Sequence, residues 1–160
     1  YCRDKDAVVA AMLVTEMAAD YKTKGMTLYD GLLGLYKKYG FYLERLKTLT
    51  FAGIDGIEKM SSIMEKFRNN PPKTFAGLNI NKIWDVEKGT ITTVSDGSVE
   101  KLKLPVSNVL RFELDNDCWF AMRPSGTEPK IKFYFGVKDK DLISADAKLD
   151  ECIKEIEKLI

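Results

Sequence analysis

The residues of this chain with most to offer a ligand stand together, in Arg123-Pro124-Ser125-Gly126-Thr127-Glu128-Pro129-Lys130-Ile131-Lys132. Arg123 presents a planar fork of N–H donors that matches two oxygens of an oxyanion, and Ser125 and Thr127 each add a short hydroxyl donor. Gly126 lets the backbone turn sharply, which brings successive N–H groups to bear on one anion. Lys130 and Lys132 add positive charge and Glu128 removes some, leaving a net +2 over residues 123–132. That set suits a phosphate group. The same residues also fit a solvated hairpin loop whose Ser125 and Thr127 merely cap their own backbone, since short basic loops are common.

Other chemistries find less support. The chain has no histidine, which removes the commonest general base and the commonest transition-metal ligand together. Ser125 beside Gly126 has the look of an esterase elbow, but the glycine two residues earlier is missing and nothing stands by to activate the hydroxyl. No catalytic residue is therefore assigned. Asp115, Asp117 and Glu128 could be drawn around a metal, yet their spacing fits turn chemistry better, and no metal ligand is assigned. Cys2, Cys118 and Cys152 are far apart, odd in number and without C-x-x-C spacing, as expected of reduced thiols in a cytoplasmic protein. Twenty-five basic and 24 acidic residues leave +1, so no global field draws in nucleic acid or an acidic membrane. No apolar run approaches the roughly 20 residues of a membrane span. The first residue is Tyr1 rather than methionine, and the chain reads as a piece of a longer polypeptide.

The elements that must position the loop follow from periodicity. Val8, Val9, Met12, Leu13, Met17 and Tyr21 keep helical spacing over residues 6–24, with Gly25 as a stop and an apolar stripe broad enough to pack on something sizeable. Thr27 reads as the N-cap of a second helix, 28–39, ending at Gly40. Residues 41–52 alternate as a strand. Beyond Gly53, the positions Ile57, Met60, Ile63, Met64 and Phe67 form an amphipathic helix stopped by Asn69-Asn70-Pro71-Pro72. Strands are predicted over 78–86, 90–94, 109–114, 118–122 and 131–137, with turns at Lys88-Gly89, Asp96-Gly97 and Asn116-Asp117. Residues 141–160 close the chain as an acidic helix with Leu149, Cys152, Ile153, Ile156 and Ile160 on one face. This is an α+β order, an antiparallel sheet with helices on one face, preceded by a helical hairpin.

Arg123 to Lys130 followed by an aromatic strand resembles the phosphate-binding loop in the C-terminal domain of the α-D-phosphohexomutases, the phosphoglucomutase and phosphomannomutase family. Residues 60–72 and Leu104-Pro105-Val106-Ser107-Asn108-Val109-Leu110 occur in the expected order before it. The resemblance implies a C-terminal domain of TATA-binding-protein-like fold over residues 41–160, and over residues 1–40 the closing helices of the preceding sugar-binding domain. It implies that Arg123, Ser125, Gly126 and Thr127, with Lys130 and Lys132 as further basic contacts, hold the phosphate that is not being transferred.

Mutases of this family also use a phosphoserine, an aspartate-rich magnesium loop and a glutamate-bearing sugar loop, and this chain has none of them. The resemblance thus implies a catalytically inactive fragment of a parent that interconverts hexose 1-phosphate and hexose 6-phosphate. It implies further that this parent uses Mg2+ and passes through a hexose 1,6-bisphosphate, neither held by the fragment itself. The expected partners are a hexose phosphate and the missing N-terminal domains, with self-association through the two N-terminal helices. A nucleic-acid-binding module of the same sheet fold, or a ligand-free interaction module, is the alternative. The near-zero charge and the acidic last helix speak against nucleic acid.

Overall fold

The computed structural model describes residues 5–51 and 55–160, so Cys2, Ala52 and Gly53 lie outside the described residues. The chain divides into two compact units, Tyr1–Gly40 and Phe41–Ile160.

In the first unit α1 spans Ala7–Thr23 and α2 spans Leu28–Tyr39. The Asp6 carboxylate accepts from the Val9 N–H at 2.9 Å and so caps α1, satisfying one of the donors a helix start leaves free. Thr27 and Asp30 form a reciprocal capping box at the start of α2. Gly31 is where the two helices approach: a Cβ there would stand 2.5 Å from the Tyr21 ring. The stripe of α1 does not pack as its breadth suggests, because none of its residues is buried and Val8, Met12 and Leu13 stay exposed. Apolar side chains occupy more than one side of α1, and the shorter α2 covers only the side bearing Tyr21.

The second unit is an eight-stranded antiparallel sheet with two helices. Its elements are β1 (Phe41–Thr50), α3 (Gly56–Asn69), β2 (Thr74–Phe75), β3 (Leu78–Asp85), β4 (Thr90–Thr93), β5 (Val99–Lys101), β6 (Leu110–Leu114), β7 (Trp119–Pro124), β8 (Lys130–Asp139) and α4 (Leu142–Leu159). The strand order is β1-β8-β7-β6-β3-β4-β5, with β2 paired to β3. Every second residue of the central strands faces the helices: Ile131, Phe133, Phe135 and Val137 on β8, Phe120 and Met122 on β7, Leu110, Phe112 and Leu114 on β6. Met60, Met64 and Phe67 of α3 and Ala145, Leu149, Cys152 and Ile156 of α4 close over that face. Phe120 stacks between Phe75 at 4.1 Å and Phe112 at 4.4 Å. Burying each such ring contributes about 2 kcal/mol.

Departures from the sequence reading are local. Neither β2 nor β5 is predicted, being two and three residues long, and Val99, Glu100 and Lys101 are all exposed, so no burial pattern marks them. Ile57 and Ile160 are 62% and 41% exposed because they fall at the two helix ends beyond the edge of the core, whereas Ala145 is buried on the face of α4 that Leu149 and Cys152 share. Cys118 and Cys152 are free and buried. Burial pushes the Cys152 thiol up to about 12, which keeps it protonated and inert.

Arg68 ties the C-terminal end of α3 to the sheet. Its Nε donates to Asp85 Oδ2 at 3.0 Å, one Nη2 contact reaches Glu87 at 2.7 Å and another reaches Asn108 Oδ1 at 2.8 Å. Asp85 is the buried charged residue among those described, and Arg68 is its partner, as a buried carboxylate requires.

Candidate functional site

β7 and β8 bring the Arg123 region together. The register pairs Arg123 with Lys132 and Pro124 with Ile131, so the strands reach further toward the turn than the sequence reading places them. Arg123 and Lys132 are strand residues on the sheet face away from the helices, and the loop proper is Ser125 to Pro129. Thr48 of β1 lies opposite Lys132 in the same row.

Local hydrogen bonds fix the loop. The Ser125 N–H donates to the Lys130 carbonyl at 2.8 Å, and the Lys130 N–H to the Glu128 carbonyl at 2.7 Å. Ser125 Oγ accepts from the Thr127 and Glu128 N–H groups at 3.5 and 3.3 Å, an ST-turn that aims both amides at one oxygen. Gly126 does not supply the turn by a left-handed backbone, since it is absent from the positive-φ glycines. A Cβ on Gly126 would meet nothing within 4 Å, so this glycine keeps the surface beside the loop clear. From below, the Phe51 N–H donates to the Pro129 carbonyl at 2.8 Å. Gly56, at the start of α3, comes so near that a Cβ there would be 2.7 Å from the Phe51 carbonyl and 2.9 Å from Pro129 Cβ. The loop is thus seated on β1 and α3 through groups that no side chain could replace.

Above it opens a cleft of about 230 Å³, lined by Arg123, Ser125, Gly126, Lys130 and Lys132 with Pro124, Glu128 and Tyr134. Thr127 is the sequence-predicted site residue that does not line it; its backbone N–H takes part through Ser125 Oγ. Tyr134 is the lining residue the sequence reading missed. Strand alternation offered the signal, because Tyr134 stands two residues beyond Lys132 and so on the same face.

The charges of the cleft are unequal in availability. Lys130 pairs with Glu128, whose carboxyl is held below its ordinary range first by the hydrogen bond and charge of Lys130 and then by the charge of Lys132. Arg123 and Lys132 have no hydrogen-bond or ion-pair partner among the described residues. The other described arginines are all engaged: Arg45 with Asp146 and Asp150, Arg68 with Asp85, and Arg111 with Glu113 while lying 5.4 Å over Trp84 and over Trp119. Two of the carboxylates weighed as metal ligands tie the 115–117 segment to neighbouring strands: Asp115 accepts from Asn79 and Asn81 of β3, and Asp117 pairs with Lys138 of β8. Among the described residues no group of three or more His, Cys, Asp or Glu comes together that could hold a metal ion.

Comparison with known proteins agrees with this architecture. Residues 64–151 match the family model described as phosphoglucomutase/phosphomannomutase, C-terminal domain. Phosphoglucomutase of Staphylococcus aureus (strain bovine RF122 / ET3-1) is 38% identical over 138 residues, 86% of this chain and 25% of that protein. Phosphoglucomutase of Staphylococcus saprophyticus is 36% identical over 140 residues, 88% of this chain and 25% of that protein. The chain therefore spans about a quarter of the length of these curated relatives. The open form of pp63/parafusin, an exocytosis-sensitive phosphoprotein and phosphoglucomutase from Paramecium, shares the fold with a TM-score of 0.61 at 20% identity, over 99% of this chain and 28% of that one. With its family-model match reaching across the loop, strands β2 to β8 and the first half of α4, the chain belongs to the phosphoglucomutase/phosphomannomutase family, whose C-terminal domain it carries.

Proposed function

We propose that the Arg123 loop anchors the non-transferred phosphate of a hexose phosphate, and that the parent polypeptide interconverts hexose 1-phosphate and hexose 6-phosphate through a bisphosphate intermediate. One observation carries this reading: Arg123 and Lys132, adjacent in register, face an open cleft with their charges unspent. Desolvating a cation without an acceptor is unfavourable, and a phosphate placed there supplies the missing oxygens. Arg123 would take two of them, Lys132 would add charge, and the Ser125 hydroxyl, whose oxygen already accepts from the Thr127 and Glu128 amides, would donate its proton to a third. Lys130 contributes less because Glu128 already holds it.

Anchoring one phosphate fixes the distance and direction of the sugar's other end, which is how positioning lowers a transfer barrier. An intermediate with a phosphate at each end must present both in turn, and a grip that contacts only phosphate oxygens accepts either. Among the described residues no set fits the Mg2+ that the family relationship implies, and no step is routed through it. In this reading residues 1–40 close the preceding sugar-binding domain. The exposed apolar side chains of α1 then meet the rest of the parent, or another copy when the parent is absent. No described helix is long and apolar enough to cross a membrane; it is the family relationship that points to a cytoplasmic enzyme of carbohydrate metabolism.

The test is a mutase assay of the full-length parent carrying Arg123→Ala. The expected outcome is a raised KM together with a lowered kcat, partly restored by Arg123→Lys. Unchanged constants would defeat the anchor.

A further inference from the structure

The two faces of β8 carry different chemistry. Ile131, Phe133, Phe135 and Val137 are buried under the helices, and the residues between them, Lys132, Tyr134 and Gly136, lie on the opposite face of the sheet. Lys132 is one of the two unspent cations of the anion cleft, and Tyr134 is a wall of that cleft. Beyond Tyr134 the strand has no side chain of its own, and the Trp119 indole fills the place: a Cβ on Gly136 would stand 2.2 Å from Trp119 Nε1 and 2.3 Å from Trp119 Cε2. Glycine alone leaves room for the indole to rest directly on the strand. The Arg111 guanidinium, 5.4 Å from the Trp119 ring and from the Trp84 ring, carries the same surface on toward β3. The order along β8 is thus cation, phenol ring, indole ring.

An antiparallel sheet with helices on one face and aromatic rings on the other is a form in which proteins stack bases, since every base offers a π-face to a tyrosine or tryptophan. Such rings also shield a sheet from water wherever they occur, and what separates the two uses is the charge beside them. Alternate residues of a strand stand about 7 Å apart, a gap that a pentose bridges between a phosphate and a base. Arg123 and Lys132 suit one phosphate group, and a net charge of +1 over the chain provides no track for a long polyanion. A grip on phosphate oxygens alone leaves the rest of the ligand to be selected by the neighbours of the grip. On β8 that neighbour is an aromatic ring.

We infer that the anion cleft and the aromatic row beside it take a nucleoside monophosphate, its phosphate on Arg123 and Lys132 and its base stacked on the Tyr134 ring, with Trp119 at the far edge of the base. This rests on the anchor reading, since the base is placed by the phosphate. The nucleotide and a hexose phosphate need the same two cations, so each excludes the other. In the parent, a nucleotide bound in this way competes with the hexose phosphate and restrains the reaction.

Calorimetric titration of this chain with adenosine 5′-monophosphate and, separately, with ribose 5-phosphate tests the assignment, because the two share phosphate and pentose and differ by the base. The nucleotide is expected to bind about tenfold more tightly, as for one stacked base. Tyr134→Ala should bring the two affinities to within about twofold of each other, and Tyr134→Phe, which keeps the ring, should retain the difference. Intrinsic fluorescence gives a second readout that needs no variant. The chain's two tryptophans, Trp84 and Trp119, both lie against Arg111 on this face, and the nucleotide should quench them where ribose 5-phosphate does not. Equal affinities of wild type for the two compounds, or a preference for the nucleotide that survives Tyr134→Ala, would overturn the inference and leave the anchor standing. Binding of neither compound by wild type would overturn the anchor and this inference with it.

Discussion

Arg68 and Arg123 are the same side chain put to opposite uses. Arg68 is sunk between α3 and β3 with its side chain 11% exposed, and Asp85, Glu87 and Asn108 occupy its donors. Arg123 lies at the open end of β7, exposed, in register with another unpaired cation and with no acceptor among the described residues. In the first case the protein completes the arginine's hydrogen bonding and gains a fixed corner. In the second it brings like charges together and leaves their bonding incomplete, a local cost that makes sense when a ligand completes it. We assign stability to the first region and, on the anchor reading, binding to the second, and substitutions should separate them.

The largest effect is expected at Arg68. Arg68→Ala leaves Asp85 as an uncompensated, nearly buried carboxylate and should lower the unfolding free energy by about 3 kcal/mol, read by urea denaturation. Arg123→Ala should do the reverse, weakening phosphate about 30-fold, near 2 kcal/mol for a lost charge-assisted contact, with stability unchanged within about 0.5 kcal/mol. If Arg123→Ala destabilised the fold as Arg68→Ala does, the contrast between the two would collapse. Glu128→Gln should tighten phosphate by about threefold, because it frees Lys130 at an exposed site where ion pairs are worth little; looser binding in that variant would assign Glu128 to the loop's structure instead.

The smallest effect concerns pH. Glu128 titrates below the ordinary carboxylate range, so its pair with Lys130 is present above that range and is lost only as pH falls through the lowered value. A sugar phosphate, as a monoester with a second pKa of about 6, loses charge first. Affinity should therefore weaken as pH falls through about 6, and Glu128→Gln should leave that midpoint where it is; a midpoint that moves with the variant would mean that Glu128 itself titrates there.

The contrast between the two arginines also marks what a sequence can disclose. The loop was legible because its chemistry is contiguous: Arg123, Ser125, Gly126, Lys130 and Lys132 sit within ten positions and line one cleft. The main helices and strands were legible from periodicity, and the cap at Thr27 and the stops at Gly25 and Gly40 from local backbone chemistry. Arg68, Asp85 and Asn108 were not, since they are separated by 17 and 40 residues from Arg68 and nothing in their spacing foretells that they meet. The second role of Gly126, keeping space clear beside the bend, was hidden for a related reason. Glycine signals either a special backbone angle or a need for empty space, and only coordinates distinguish the two. The short β5 carried no burial signal at all.

The central claim is that the loop is a preformed anion clamp, and amide NMR of this chain during titration with inorganic phosphate tests it most directly, with Arg123→Ala alongside. Shifts confined to Ser125, Gly126, Thr127, Glu128 and their strand neighbours, and abolished in the variant, are the predicted result. No shift at millimolar phosphate, or shifts that persist unchanged without Arg123, would contradict it.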